Sequence, residues 1–429
     1  MRYTLPFGTT LALIFASAFG HGGEMLWGQG LVALAGAIGL IHFAAVRRLP
    51  WGRSLYVAAL AWVMLVAWCI AQALPMGLAV HPSWIAARSI LEDLGPGAIA
   101  IDPQATLDAA IRLAAYGGVF ALGLHAAQRP GDWLIWLAVG IGVTVIVGLM
   151  VDANSVGPAG LAKVRHWGDA AFPFANRNHF CVFAGIGVLA AIGSLLDPIG
   201  RIGWRRYVAC AALLVCLGAV FASHSRAGLL VLACGVGVTV FLNRPPRRWL
   251  IIVFIAASAL ALLFAAGVVV RFETIGAAAR LRLDIMAAAS ELAWQAPWTG
   301  VGSFDLAIQG IAPPFGQGMV QSAHNIVLES LMERGAPATI LAIAAITLVV
   351  GQCARSIQAS RAGKVCGATA LGVATMVLLH GMVDFSVHSP SIAALVAIVL
   401  GLGAGHAVVP APGSAVGLAR GNPLEGARA

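Results

Sequence analysis

The stretch Ser54–Leu74 reads SLYVAALAWVMLVAWCIAQAL, 21 residues without a charge. An α-helix of that length spans about 30 Å, the thickness of a bilayer's hydrocarbon core. Comparable apolar runs recur at 5–20, 26–46, 106–126, 133–151, 179–196, 207–222, 227–242, 249–270, 335–352, 365–385 and 390–409. The chain of 429 residues is 60% hydrophobic and 10% charged, where soluble domains carry about 25% charged residues. No long segment alternates polar and apolar residues, so a membrane β-barrel is not expected. The predicted fold is all-α: a polytopic integral membrane protein of about 12 transmembrane helices. It is expected to form a single membrane domain over 1–429. The first run, after Met1-Arg2, lacks a small-residue cleavage site and is read as a span rather than a removed signal peptide.

Charge orders the loops into two sets. One set is short and basic, with Arg47, Arg48, Arg53, Arg129, Arg201, Arg205, Arg206, Arg244, Arg247, Arg248, Arg355, Arg361 and Lys364. With Arg2, Arg420 and Arg428 near the termini, it holds sixteen of the 26 basic residues. The positive-inside rule places this set and both termini in the cytoplasm. The other set, about 75–105, 152–178 and 271–334, holds most of the carboxylates. The net charge of +9 therefore reads as an orientation signal and not as a nucleic-acid surface. The seven cysteines form no C-x-x-C pair, so neither disulfides nor structural zinc is expected. Segment 271–334 is much longer than a connection needs, and its Trp294, Trp298, Phe304 and Phe315 are not the composition of disorder. The tail 410–429 is rich in Gly, Pro and Ala and is expected to be flexible.

Five clusters on the acid-rich side could carry chemistry. Asn176-Arg177-Asn178 stands where a span begins, and helix N-termini favour anions; the plainer reading is an interfacial anchor with Asn178 as N-cap. Arg226, in the tight turn 223–228, could simply snorkel, but positive-inside statistics disfavour arginine at that end. Arg280, Arg282 and Asp284 lie on a helix-like stretch ahead of Pro297–Phe304, and could be solvated surface charges of little energetic weight. His324 and Asn325, followed by Glu329, close the long loop; a lone histidine is more often structural, yet histidine is also the usual general base near neutral pH. His380 and Asp384 lie near the end of a span, where ionisable residues are costly and by default functional. The sequence has no H-E-x-x-H, C-x-x-C, P-loop or D-x-D motif, so no metal and no cofactor are expected. Arginines suit bidentate contact with phosphate oxygens. One face with arginines, a base and no metal motif suits transfer from a pyrophosphate-linked donor.

FANRNHF (174–180), SHSRAG (223–228), RLDIM (282–286), APWTGVGSF (296–304), SAHNIVLESLMERGAP (322–337) and HGMVDFSVHSP (380–390) occur in this order. Taken together over about 170–390, they resemble the O-antigen ligase and O-antigen polymerase superfamily of bacterial envelope glycosyltransferases. The first five spans match only as apolar helices, and position 286, often Trp or Tyr in relatives, is Met. The resemblance implies a GT-C-like membrane glycosyltransferase of the bacterial inner membrane with a periplasmic active site. It implies an undecaprenyl-pyrophosphate-linked glycan donor, and lipid A–core (for a ligase) or a growing glycan (for a polymerase) as acceptor. The implied reaction is inverting and metal-independent. By similarity Arg226 and Arg282 would hold the pyrophosphate, with Arg280 competing for the second assignment, and His324 would be the general base. Asn176, Arg177, Asn178, Asn325 and Asp384 would support them.

Two other classes compete with catalysis. A transporter should carry its ionisable groups near the bilayer midplane, often on broken helices, whereas these lie at one boundary. A scaffold would need no arginine–histidine cluster. The topology is open to a direct check: a reporter active only in the periplasm should be silent when fused within Arg201–Arg206, and activity there would invert the assigned orientation.

Overall fold

A computed structural model describes residues 4–45, 52–77, 79–91, 95–128, 132–154, 170–197, 203–244, 275–302 and 322–408. The expected span 249–270, much of the long loop (303–321) and the C-terminal tail lie outside these residues. Among the described residues the chain is helical throughout, with no strand. The helices are α1 (Thr4–Ala18), α2 (Leu26–Ala45), α3 (Arg53–Ala73), α4 (Pro82–Arg88), α5 (Pro103–Ala126), α6 (Trp133–Asn154), α7 (Arg177–Leu196), α8 (Trp204–Ala222), α9 (Arg226–Asn243), α10 (Ile275–Gln295), α11 (Ile326–Ala359), α12 (Arg361–Gly381) and α13 (Pro390–Gly405). Nine of these are long and apolar enough to cross a membrane, and α1 and α13 are shorter apolar helices. Each expected span other than 249–270 thus has a helix, and the all-α polytopic class is observed.

The bundle is built around α7, which is buried along almost its whole length. It packs against α6, α8, α9 and α12. Phe174, Phe180 and Phe183 are fully buried at its start, so Arg177 and Asn178 enter the bundle from a rigid, apolar collar. On the other side α2 and α5 meet through small residues. A Cβ added at Gly39 would strike the Gly118 carbonyl, and one at Gly36 would strike Ala115. Between helices in lipid no water-driven term favours association, so such close backbone approach supplies the packing.

The expected span 335–352 is part of a longer helix. α11 starts at Ile326 and is broken at Gly335, whose φ of 76° only glycine adopts freely. The break leaves backbone groups without helical partners, and the segment Ala296–Gly302 supplies them. Val301 N–H donates to Met332 O (2.9 Å), Gly302 N–H to Glu333 O (3.0 Å), and Ala336 N–H donates to Pro297 O (2.7 Å). From α3, Trp68 Nε1 donates to Arg334 O (2.9 Å) and Gln72 Nε2 to Glu333 O (2.9 Å). Residues 296–302 therefore form a collar around a kinked helix, supplying the partners that irregular backbone inside a membrane bundle requires. The amphipathic α10 lies over this collar, burying Ile285, Ala289 and Leu292 with Val301, Ala323 and Met332.

The glycine contact between α2 and α5 gives a test. Gly39→Leu should lower the melting temperature by several degrees, because overpacking costs about 1–3 kcal/mol or more. Gly30→Leu, where a Cβ meets nothing within 4 Å, should leave it unchanged.

Candidate active site

The arginines and the histidine singled out in the sequence gather where α7, α9 and α11 begin and α12 ends. Asn176, not Asn178, caps α7: its Oδ1 accepts the Asn178 N–H at 2.8 Å. That leaves the Asn178 side chain one position inside the helix and available for tertiary bonds. Its Nδ2 donates to Asp384 Oδ2, and its Oδ1 accepts from Ser225 Oγ at 2.8 Å. Ser225 in turn caps α9, accepting the Gly228 N–H at 3.2 Å. One asparagine thus ties the starts of α7 and α9 to the end of α12. Gly228 is required at this crossing, since a Cβ there would meet Cys181 Sγ.

Asp384 is the hub. It is 1% exposed, and a carboxylate so buried must be paired and hydrogen-bonded. Besides Asn178 it accepts the Phe385 N–H at 2.8 Å. Arg282 Nη2 lies 3.9 Å from Oδ2 and His324 Nδ1 lies 3.9 Å from Oδ1. These partners come from four separate segments of the chain. Arg282 remains 38% exposed. Arg177 and Arg226 are the first residues of α7 and α9 and are half-buried. Arg226 lies within electrostatic reach of both Arg177 and Arg282. Three guanidinium groups therefore stand beside two helix N-termini, whose unpaired N–H groups and positive dipole ends add to the field. Positive charge is thus concentrated at this end of the bundle.

Arg280 is not part of it. Two positions upstream of Arg282, it projects about 200° around α10 and is exposed, as is Asp284. Asn325 caps α11, with Oδ1 accepting from Val327 N–H (3.1 Å) and Leu328 N–H (3.0 Å), while its Nδ2 reaches Met382 O at 3.4 Å. His324 has a φ of 53°, a left-handed conformation that costs about 1–3 kcal/mol away from glycine. Its ring packs edge-on against Phe385, with centroids 5.1 Å apart. Burial holds the His324 imidazole below the ordinary histidine range; Asp384 and Glu329 pull it up, and Arg282 pushes it down. The ring is thus largely neutral near pH 7 and able to accept a proton.

Three contributors were not read from sequence. Ser225 was detectable as a serine directly before a helix start. Phe385, which also packs edge-on against His179 at 4.8 Å, and His388 were not, since no spacing rule links them to His324. Among the described residues no three His, Cys, Asp or Glu side chains come together as metal ligands.

Behind Phe385, a cavity of about 1010 Å³ extends among α2, α3, α5, α11, α12 and α13. Trp62, Tyr116, Phe120 and Val349 line its apolar length, and Arg112, Glu333 and His388 its polar end.

Fold and site together define a multi-pass helical membrane protein with arginine and histidine side chains gathered around a buried aspartate where several helices end. Residues 211–343 match a family model described as O-antigen ligase. The match supports the O-antigen ligase and polymerase superfamily that the motifs resemble, and that family implies a glycosyltransferase-like membrane enzyme acting on lipid-linked glycans. It includes Arg226, Arg282 and His324 but stops short of FANRNHF and HGMVDFSVHSP. A comparison with curated proteins finds none that matches.

The electrostatics of His324 can be measured. Its ring should titrate below about 6.5 when followed by nitrogen NMR of labelled histidine. Asp384→Asn should lower the midpoint further, because the lost carboxylate favours the imidazolium. An upward shift would contradict the assigned contact.

Proposed function

We propose that this protein is an O-antigen ligase of the bacterial inner membrane. It would transfer an undecaprenyl-pyrophosphate-linked glycan to a hydroxyl of lipid A–core on the periplasmic face, without a metal. The observation that carries this reading is the convergence of Arg282 and His324 on one buried carboxylate, beside the arginine-headed starts of α7 and α9.

In this reading the donor pyrophosphate lies against Arg226, Arg282 and Arg177, above the two helix N-termini. Its prenyl chain stays in apolar surroundings, for which the cavity behind Phe385 offers room. His324 accepts the proton of the acceptor hydroxyl as its oxygen attacks the anomeric carbon from the face opposite the phosphate. The new C–O bond forms while the bond to the phosphate oxygen breaks, so configuration inverts. Negative charge grows on the leaving pyrophosphate, where the guanidinium groups stabilise it. The proton on His324 then passes to solvent or to the departing phosphate. Asp384 fixes the guanidinium of Arg282 and the ring of His324 and has no covalent part.

Removing a donor that stabilises developing charge costs about 10²–10³ in rate. Arg226→Ala and Arg282→Ala should therefore lose detectable transfer while remaining folded and inserted, and lysine should rescue poorly because it lacks the planar fork. His324→Ala should lose transfer yet still bind the lipid donor, and Arg280→Ala should stay active. A deletion strain whose lipid A–core carries no glycan polymer supports a ligase. Core capped with a single repeat unit would instead identify a polymerase, and an unchanged envelope would reject both.

A further inference from the structure

A second set of polar groups, with Glu329 and Ser322 buried and His388 36% exposed, adjoins Phe385. Glu329, 2% exposed, points from the first turn of α11 towards the turn after α12. There His388 Nε2 lies 3.2 Å from Glu329 Oε2. The same carboxylate oxygen accepts from Ser322 Oγ at 3.1 Å. Ser322 Oγ, in turn, accepts the backbone N–H of His324 at 3.1 Å. A continuous chain of contacts thus runs from His388 through Glu329 and Ser322 to the main chain of His324.

We propose that Glu329 and His388 are positioning residues, acting through Ser322 to hold His324 in the conformation in which it serves as base. The inference rests on the proposed role of His324. Its physical ground is the left-handed backbone at that residue, with φ of 53°. Such a conformation persists in a residue with a Cβ only when the surroundings over-determine it. Asn325 fixes the C-terminal side by capping α11. On the N-terminal side, the bond from the His324 N–H to Ser322 Oγ does so, and Ser322 is itself 1% exposed. Its hydroxyl hydrogen is aimed by a carboxylate, the strongest acceptor a side chain offers.

His388, whose Nε2 lies 3.2 Å from Glu329 Oε2, is a second partner of that buried carboxylate. Burial opposes the imidazolium, but Glu329, in hydrogen-bond contact, and Glu333 outweigh burial and the nearby Arg334, and raise His388 above the ordinary histidine range. The other ionisable groups acting on His388 are Glu24, from the turn between α1 and α2, and His179 on α7. The Phe385 ring touches both histidines, edge-on to His324 at 5.1 Å and to His388 at 6.0 Å between centroids. Glu329 also acts through space on the His324 ring, favouring its protonated form.

The test uses the full chain in nanodiscs, with kcat and donor KM measured across pH for the wild type, Ser322→Ala, Glu329→Gln and the double variant. Each single variant should lower kcat about tenfold or more with donor KM within about twofold. The double should be no worse than the weaker single, since both break one chain. In Glu329→Gln the acid limb should move to lower pH, because the His324 imidazolium has lost a stabilising charge. Exchange of the His324 amide hydrogen should quicken about tenfold or more in both single variants. Losses that multiply in the double, an unmoved acid limb, or unchanged amide exchange in Glu329→Gln would overturn the proposal. If the wild type itself transfers no glycan, the proposed function fails, and amide exchange alone decides whether the chain of contacts holds His324.

Discussion

The whole site depends on one buried carboxylate. Asp384 sits at the end of a membrane-spanning helix with 1% of its surface exposed, where an unpaired charge would cost several kcal/mol. Its partners are drawn from every part of the chain that the site uses: Asn178 at the start of α7, Arg282 on α10, His324 ahead of α11, and the Phe385 N–H. Asn178 and the Phe385 N–H are hydrogen-bonded to it, and Arg282 and His324 stand 3.9 Å from it, within electrostatic reach. Arg177 and Arg226 stand at the starts of α7 and α9, and Arg226 lies within electrostatic reach of both Arg177 and Arg282.

Asp384 can collect these partners only because the helices bring their ends together. α7 is sealed by apolar neighbours, so its first turn cannot drift, and Asn178 bridges from it to α9 and α12. α11 is broken at Gly335, which lets its first turns lean over the bundle while the remainder continues through it. The collar Ala296–Gly302, with Trp68 and Gln72, satisfies the groups the break exposes. The kink sets the position of His324, and the collar stabilises the kink. The collar also packs through Val301 against Ala323, the residue before His324, so it bears on the base directly.

Much of this was legible in the sequence, and the exceptions have physical causes. Uncharged runs about 20 residues long announce spans wherever they occur, and an aspartate near the end of one announces a buried functional group. The choice between Arg280 and Arg282 was open from the motif alone. Once α10 is helical, residues two apart point to nearly opposite sides, and only one can face Asp384. The cap of α7 was assigned to Asn178 because either asparagine suits the position; the tertiary bond from Asn178 to Asp384, over 206 residues away, is what selects Asn176. The expected span began at 335, whereas the helix starts at Ile326 and Gly335 marks an internal break, because bonds from distant segments replace the lost helical ones. The contact of Glu329 with His388 follows no local spacing at all.

The central claim is that the arginine-lined cleft beside Asp384 is where a lipid pyrophosphate binds. The most direct measurement is an experimental structure of the full protein with undecaprenyl pyrophosphate. The account predicts phosphate oxygens within hydrogen-bonding distance of the Arg226 and Arg282 guanidinium groups, above the starts of α7 and α9, with the His324 ring across the cleft. A pyrophosphate bound away from both arginines, for example among the basic loops at the opposite end of the bundle, would contradict it.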